Sequence, residues 1–153
     1  MDTISVVIVG RDRTLMTIEC IKNIIQHLKD VKVNIIVGSD RSSNGHVQAI
    51  KYFLSTLDIT YRTKLLECET LGGMMNTCCD EAFKMSEFVL CIENDMILHR
   101  DMHAYQFIDV LRSTNVGNMQ FRYFSPEANK CDINIFKFNG NNYMCTFPQN
   151  GID

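Results

Sequence analysis

The stretch FVLCIENDMIL, residues 88–98, decides the fold class of this chain. It begins with five apolar residues, a pattern typical of a strand that is buried on both faces of a sheet. The acidic residues Glu93 and Asp95 follow directly, with Asn94 between them. Because an unpaired buried charge is costly, these carboxylates must lie where solvent or a cation can reach them. In open α/β sheets that place is the crevice at the carboxyl ends of the strands.

The acidic pair at this strand end has two interpretations. Hard oxygen ligands suit Mg²⁺ or Mn²⁺ carrying a phosphate, so Glu93 and Asp95 predict a metal–diphosphate site. A solvated turn beside a helix cap explains the same residues equally well, because acidic residues are common at strand ends.

Strand-like and helical segments alternate along most of the chain. Apolar runs at residues 4–9 and 33–37 predict buried strands, and the more polar run at 59–68 predicts a strand nearer a sheet edge. Helical periodicity follows each run, which predicts an α/β fold with a mostly parallel central sheet and helices on both faces. The runs 133–138 and 143–147 flank the sequence NGNN, which predicts a C-terminal antiparallel hairpin.

Length and charge exclude several classes of protein. With 153 residues the chain is expected to form one domain with a real core. The net charge is −3 and no run of Lys or Arg exists, so nucleic-acid binding is not expected. The longest apolar runs are strand-sized, which argues against a membrane span. Because the start carries no positively charged leader, a soluble, cytoplasmic protein is expected.

The seven cysteines do not form a recognisable metal-binding pattern. There is no C-x-x-C pair and no Cys/His ligand spacing, so a structural zinc is not favoured. Most of the cysteines lie within apolar patterns, which predicts buried free thiols. A disulfide stays open as the alternative.

Three loops carry further candidate residues. The first, GRDR at residues 10–13, precedes a helix that Asp12 or Thr14 can cap, in a position that also suits an anion. The second contains Ser39 and Asp40, which can accept hydrogen bonds from a base or ribose, or form a turn before a helix cap at Ser42 or Ser43. The third contains Gly73, where the backbone can approach a ligand closely or simply turn. Neither the dinucleotide fingerprint G-x-G-x-x-G nor the P-loop motif occurs.

Three motifs in register together resemble the nucleotide-sugar-binding half of a GT-A glycosyltransferase, closest to glycosyltransferase family 2. The sequence SVVIVGRDR, residues 5–13, stands where that family carries SVVIPTYNR. The sequence IIVGSDRSSNG, residues 35–45, is similar to the family's IIVVDDGSTDG. Residues 81–95 resemble EAAxGEYILFLDAD, with Glu93-Asn94-Asp95 at the D-x-D motif.

The resemblance implies a metal-dependent glycosyltransferase with a Rossmann-like GT-A sandwich fold. Such an enzyme transfers a sugar from a nucleoside-diphosphate sugar to a hydroxyl of a glycan, protein or lipid acceptor, here with inversion. Asp95 would bind the Mn²⁺ or Mg²⁺ that bridges the diphosphate, and Glu93 would contact the ribose, the sugar or the metal. Ser39 and Asp40 would hold the base. The other implied nucleotide contacts are Val9, Gly10, Arg11, Gly73 and Asn94.

Two departures from the family pattern affect the nucleotide pocket. The family's Pro-Thr-Tyr is replaced by Val9-Gly10-Arg11, so that an arginine takes the place of an aromatic ring for stacking on the base. The first aspartate of the family's second motif is replaced by Ser39.

The resemblance also implies a division of the chain. Residues 1–153 would form one GT-A-like domain, with a nucleotide-sugar-binding part at 1–100 and a reduced acceptor-side part at 101–153. In this family the inverting base follows the D-x-D motif, which makes Asp153 and Asp132 the candidates for deprotonating the acceptor hydroxyl. The short chain is that expected of a viral or truncated member, which in the viral case would act in the host cytoplasm.

Two other functions are compatible with the same residues. A nucleotidyltransferase on a similar fold would use a Gly-rich, basic first loop, of which residues 10–13 are a poor version. A non-catalytic module for sugar-nucleotide binding or assembly would keep the pocket without the transfer.

Overall fold

The computed structural model describes residues 1–113, 132–138 and 141–147. The chain divides into two compact units, Met1–Ile108 and Asp109–Asp153. The first unit contains the strands and loops that carry most of the candidate site residues. None of the described helices is long and apolar enough to cross a membrane.

Strands and helices alternate through the first unit, as the sequence predicts. The elements of the chain are β1 (Thr3–Gly10), α1 (Thr14–His27), β2 (Leu28–Lys29), β3 (Lys32–Asp40), α2 (Asn44–Ser55), β4 (Arg62–Cys68), α3 (Leu71–Met85), β5 (Phe88–Glu93), β6 (Met102–His103), α4 (Tyr105–Ser113), β7 (Asp132–Phe138) and β8 (Asn141–Phe147). The predicted fold class, an α/β protein with a mostly parallel sheet flanked by helices, is confirmed.

Four parallel strands form the main sheet, in the order β4-β3-β1-β5. The more polar β4 lies at an edge, as its sequence predicts. The expectation that β5 is buried on both faces is wrong, because most side chains of its apolar run are only partly covered. β5 is the other edge strand of the described sheet. Cys91 is exposed and its neighbours Leu90 and Ile92 are only half-buried. Only β1 pairs with β5 among the described residues.

The helices cover the two faces of the sheet. The connections through α1 and α2 lead from β1 to β3 and on to β4, whereas the connection through α3 leads back across the sheet to β5. Because such crossovers are right-handed, α3 lies on the face opposite α1 and α2. On that face Val7, Val9 and Ile36 pack with Met74 and Cys78 of α3. The alternate residues of the same strands point to the α1 and α2 side.

The close packing of α3 depends on Gly38 in β3. A Cβ atom at this position would lie 2.8 Å from both Met74 Cγ and Cys78 Sγ. These distances are shorter than real Cβ contacts, so any side chain at Gly38 would push α3 off the sheet. The absence of a side chain at this position therefore sets the spacing between α3 and β3.

The segment that follows the acidic pair is tied back onto α1. Asn23 donates to the Leu98 carbonyl over 3.0 Å and accepts from the Leu98 N–H over 2.6 Å. His27 Nδ1 lies 2.8 Å from Asp101 Oδ1, and β2 and β6 pair in parallel beyond this contact. These contacts fix the C-terminal end of the loop that carries Asp95.

In the second unit β7 and β8 pair in antiparallel register, from Asp132 opposite Phe147 to Phe138 opposite Asn141. The predicted C-terminal hairpin is thus confirmed.

Candidate functional site

The candidate residues collect where the parallel strands end. The register pairs Gly10 with Ser39, Val9 with Glu93, and Asp40 with Cys68. All four strands therefore finish at one edge of the sheet, and the loops that follow them lie side by side. This edge is where open α/β proteins bind their ligands.

Asn94 is buried and links the end of β5 to the loop after β1 by hydrogen bonds. Its backbone N–H donates to the Val9 carbonyl over 3.0 Å. Its side-chain Nδ2 donates to the Asp12 carbonyl over 3.2 Å and to Thr17 Oγ1 over 3.0 Å. A Cβ atom at Gly10 would lie 2.3 Å from Asn94 Cγ, so only glycine leaves room for this amide. The inward position of Asn94 leaves Glu93 and Asp95, one residue to either side, exposed.

The loop after β1 is held in a left-handed backbone conformation. Asp12 has a φ of 50° and Arg13 a φ of 58°. Such values are uncommon for residues other than glycine and are maintained by surrounding contacts. Arg13 stands at the N-cap of α1 without a side-chain cap, so neither Asp12 nor Thr14 caps this helix. That expectation is wrong because Asp12 has a different partner.

Asp12 binds the loop that precedes α2. Its Oδ1 accepts from the N–H and from the Oγ of Ser43, each over 2.9 Å, and its own N–H donates to Ser42 Oγ over 2.9 Å. The backbone and side-chain hydrogen bonds from Ser43 hold the pKa of Asp12 below its usual value. The loops after β1 and β3 therefore form one connected rim, although sequence reasoning did not link them.

A second contact joins α1 and α2, the helices that follow these two loops. Thr14 Oγ1 and His46 Nδ1 lie 2.9 Å apart, and His46 is buried. Desolvation lowers the pKa of His46, which favours the neutral ring. Ser43, the N-cap of α2, accepts from the His46 N–H over 3.3 Å, so the predicted cap of α2 is confirmed.

Asp95 forms an ion pair with Arg13 at the outer side of the rim. Arg13 Nη1 donates to Asp95 Oδ2 over 2.7 Å, and the two side chains are 56% and 35% exposed. Glu93 is also exposed. Within the described ranges no group of three or more His, Cys, Asp or Glu side chains could hold a metal ion by itself.

This pair of carboxylates fits a hexacoordinate Mg²⁺ or Mn²⁺ that is shared with a ligand. Such ions are commonly held by one or two protein carboxylates, with phosphate oxygens and water completing the coordination. Asp95 and Glu93 supply the carboxylates and leave the other positions open. A cation bound to Asp95 would lie beside the Arg13 guanidinium and compete with it for this carboxylate.

The end of β3 carries a buried hydroxyl without a partner. Ser39 is 1% exposed, and its Oγ has no hydrogen-bond partner among the described residues. A cleft of about 220 Å³ opens beside it, lined by Ser39, Arg41, Ser42, Glu67, Cys68 and Glu69. Because a buried unpaired hydroxyl is costly, it is well suited to a ligand that brings a hydrogen-bonding edge.

Arg41 lines this cleft and contacts Asp40, the last residue of β3. The side chain of Asp40 is 13% exposed, and its Oδ1 lies 3.3 Å from Arg41 Nε. Arg41 has a φ of 43°, and its N–H donates to the Cys68 carbonyl over 3.2 Å. This hydrogen bond ties the loops after β3 and β4 together along the wall of the cleft.

Two of the predicted nucleotide contacts, Val9 and Gly73, have structural roles. The side chain of Val9 packs in the core against α3. The N–H of Gly73 donates to Thr70 Oγ1 over 3.1 Å and thus belongs to the cap of α3. Arg11 is exposed on the β1 loop. The nucleotide contacts assigned to these three residues stay predictions.

The two candidate bases lie in the second unit. Asp132 is the first residue of β7, whereas Asp153 lies outside the described residues. Neither role is tested by the geometry.

Comparisons with known proteins agree on the fold. No protein-family model matches this chain, and no curated protein matches it. A solved structure of the mannosyltransferase PcManGT from Pyrobaculum calidifontis in complex with GDP-Man and Mn²⁺ is similar, with 16% sequence identity and a TM-score of 0.56. The match covers 64% of this chain and 29% of that one.

A second similar structure is that of S. aureus TarS 1-349 in complex with UDP. It is 15% identical with a TM-score of 0.51, over 72% of this chain and 32% of that one. The chain thus spans less than a third of each of these two structures. At such identities the likeness shows a shared fold, and nothing finer follows from it.

Proposed function

We propose that this protein binds a nucleoside-diphosphate sugar together with Mn²⁺ or Mg²⁺ and transfers the sugar to an acceptor hydroxyl. The observation that carries the proposal is the pairing of two features at one sheet edge: exposed carboxylates at Glu93 and Asp95, and the unpartnered buried hydroxyl of Ser39. One feature suits a metal-bound diphosphate and the other a base or ribose. The similar mannosyltransferase structure contains GDP-Man and Mn²⁺, which supports the same combination here.

The candidate residues at the carboxyl ends of the strands have separate roles in this proposal. Asp95 and Glu93 hold the cation, and Arg13, once displaced from Asp95, stands beside the diphosphate. Ser39 and Asp40 bind the base or ribose, and Arg11 stacks on the base. A bound divalent cation would offset the charge that builds on the departing nucleoside diphosphate.

The finer assignments belong to the same proposal. The protein would be a family 2-like GT-A enzyme that inverts the anomeric carbon. Asp132 or Asp153 would be the base that takes the acceptor proton. A glycan, protein or lipid supplies the acceptor hydroxyl, and the cytoplasm is the expected compartment.

Isothermal titration calorimetry tests the metal–nucleotide site. UDP and GDP are titrated into the full chain with and without Mn²⁺, using wild type, Asp95→Asn and the control Glu19→Gln. Glu19 is an exposed acid on α1 that pairs with Lys22, so its replacement removes the same charge outside the rim. We expect micromolar binding that requires Mn²⁺, survives in Glu19→Gln and weakens at least about tenfold in Asp95→Asn.

The outcomes separate the alternatives. Absence of binding for both nucleotides under every metal condition would reject the proposal. Binding of the nucleotide with equal affinity in Asp95→Asn would show that the metal does not bind at the end of β5. If nucleotide binds, release of UDP or GDP from a panel of sugar nucleotides then distinguishes transfer from binding alone, and pyrophosphate release would indicate nucleotidyl transfer instead.

A further inference from the structure

Two thiols face each other between α3 and β5. Cys79 Sγ and Cys91 Sγ are 3.6 Å apart. Cys91 pairs in register with Val7, whose side chain packs against α3, and strand alternation places Cys91 on the same face. The sulfurs are thus in van der Waals contact, and a small side-chain rotation would bring them to bonding distance.

The pair is open to reagents in solution, in contrast to other thiols of the first unit. Cys91 is exposed and Cys79 is half-buried, whereas Cys20 and Cys78 are fully buried. Desolvation of the Cys91 sulfur, together with its hydrogen bond to Cys79, raises the pKa of Cys91 to about 12. Both groups are free thiols in the structure, and the high pKa of Cys91 makes the reaction of that thiol at neutral pH slow.

We propose that Cys79 and Cys91 form a modification site, a reversible disulfide made by exchange with an oxidised low-molecular-weight disulfide such as oxidised glutathione. One protein thiolate attacks a glutathione sulfur, breaks that S–S bond and releases one glutathione thiolate. The second protein thiolate then attacks the mixed disulfide and releases the other glutathione. The protein pair loses two electrons and two protons, and the glutathione disulfide is reduced to two thiols.

The cross-link would join α3 directly to the strand that ends at Glu93. It closes a short loop between the middle of α3 and the middle of β5, so it restricts the unfolded chain. We expect the thermal midpoint to rise by about 5–10 °C on closure and to return on reduction. Neither effect depends on nucleotide binding, so the proposal stands or falls separately from the proposed function.

Mass spectrometry of the full chain tests the site. Wild type, Cys79→Ser, Cys91→Ser and the control Cys68→Ser are incubated with oxidised glutathione at about pH 8.5, where more thiolate is present. Remaining thiols are alkylated, and the linked peptides are mapped. Cys68 is a half-buried thiol on the same side of α3, which makes it a matched control.

The expected result is a loss of two hydrogens in wild type and Cys68→Ser, with a peptide that links Cys79 to Cys91. Circular dichroism verifies that the variants are folded, and a reducing agent restores the original mass. Full alkylation of both thiols in wild type would overturn the proposal. So would a linkage that maps to another pair, or one that persists at Cys91 in Cys79→Ser.

Discussion

Arg13 Nη1 donates to Asp95 Oδ2 over 2.7 Å, so a guanidinium binds the carboxylate that is proposed to hold a divalent cation. The two charged groups come from the loops after β1 and β5, which meet at the same sheet edge. A metal ion and Arg13 therefore compete for Asp95. The proposed function predicts that metal binding and movement of this arginine are coupled.

Replacement of Arg13 tests this competition. Arg13→Gln should tighten the binding of Mn²⁺ alone by about two- to fivefold, because exposed ion pairs are worth roughly 0–1 kcal/mol. Electron paramagnetic resonance of free Mn²⁺ during a titration measures the change. Lys22→Gln removes one positive charge from the exposed face of α1 and should leave the affinity unchanged. Weaker Mn²⁺ binding in Arg13→Gln would show that Arg13 does not compete.

Ser39 offers a test in which stability and binding move in opposite directions. Ser39→Ala removes a buried hydroxyl without a partner, so we expect the free energy of unfolding to rise by up to about 1 kcal/mol. The affinity for UDP or GDP with Mn²⁺ should fall by about five- to tenfold, because one hydrogen bond to the nucleotide is lost. Urea unfolding and calorimetry measure the two quantities.

Ser5 provides the matched control for Ser39. It is also fully buried, but its Oγ donates to the Ala82 carbonyl over 3.1 Å and accepts from Asn34 Nδ2 over 3.2 Å. Ser5→Ala should therefore destabilise the protein by about 1–3 kcal/mol and leave nucleotide affinity unchanged. If Ser39→Ala destabilises the fold as much as Ser5→Ala, the hydroxyl of Ser39 has a structural partner.

Gly10 and Asn94 should behave as a coupled pair. Gly10→Ala places a methyl group 2.3 Å from Asn94 Cγ and should cost about 1–3 kcal/mol in the free energy of unfolding. Gly72→Ala, in open space within α3, should instead stabilise by up to about 1 kcal/mol. In a double-mutant cycle, Gly10→Ala with Asn94→Ala should cost less than the sum of the single changes. Additive costs would mean that the two residues do not meet.

His46 predicts a pH dependence of stability near neutrality. Its pKa is lowered from 6.5 by desolvation, so the unfolded chain binds a proton that the folded chain does not. The contribution to stability is complete above pH 6.5 and is lost as the pH falls from 6.5 through the lowered pKa. Urea midpoints between about pH 5 and 8 should lose this slope in His46→Gln and keep it in His99→Gln, which replaces an exposed histidine. An unchanged slope in His46→Gln would show that another group causes this pH dependence of stability.

Asp12 predicts a second pH dependence of stability, at more acidic pH. Because hydrogen bonds from Ser43 lower its pKa below 3.8, its contribution is present above that value and disappears as the pH falls through the lowered pKa. Asp12→Asn should therefore reduce the loss of unfolding free energy at acidic pH. Asp80→Asn, which replaces an exposed acid on α3, should not reduce it. Acid titration followed by circular dichroism compares the two. Equal losses at acidic pH in the two variants would rule out the link between Asp12 and Ser43 as a source of stability.

The sequence was sufficient for the features that depend on local pattern. Apolar runs and helical periodicity predicted the crossovers, and the acidic end of the run at residues 88–98 predicted the edge where the loops meet. The cap at Ser43 followed from its position just before a helix. Such features need only neighbours along the chain.

The features that the sequence did not predict depend on partners far along the chain. Asp12 looked like a helix cap, but its carboxylate meets Ser43 in another loop. The run that begins β5 predicted a strand buried on both faces, but Cys91 is exposed, because the cover of each face depends on elements far along the chain. The ion pair of Arg13 with Asp95 likewise appears only when β1 and β5 lie side by side. Pattern alone gives none of these distances.

The strand order also has a consequence for how the protein is made. The central strand β1 leaves the ribosome first, yet its partner β5 is the last strand of the sheet to be synthesised. Nearly the whole first unit must therefore be available before β1 acquires its second neighbour, and such distant pairings are slow to form. Asp95 can meet Arg13 only after that step. The contact between the loops after β1 and β5 thus forms late, and the ion pair of Arg13 with Asp95 reports that β5 has joined β1.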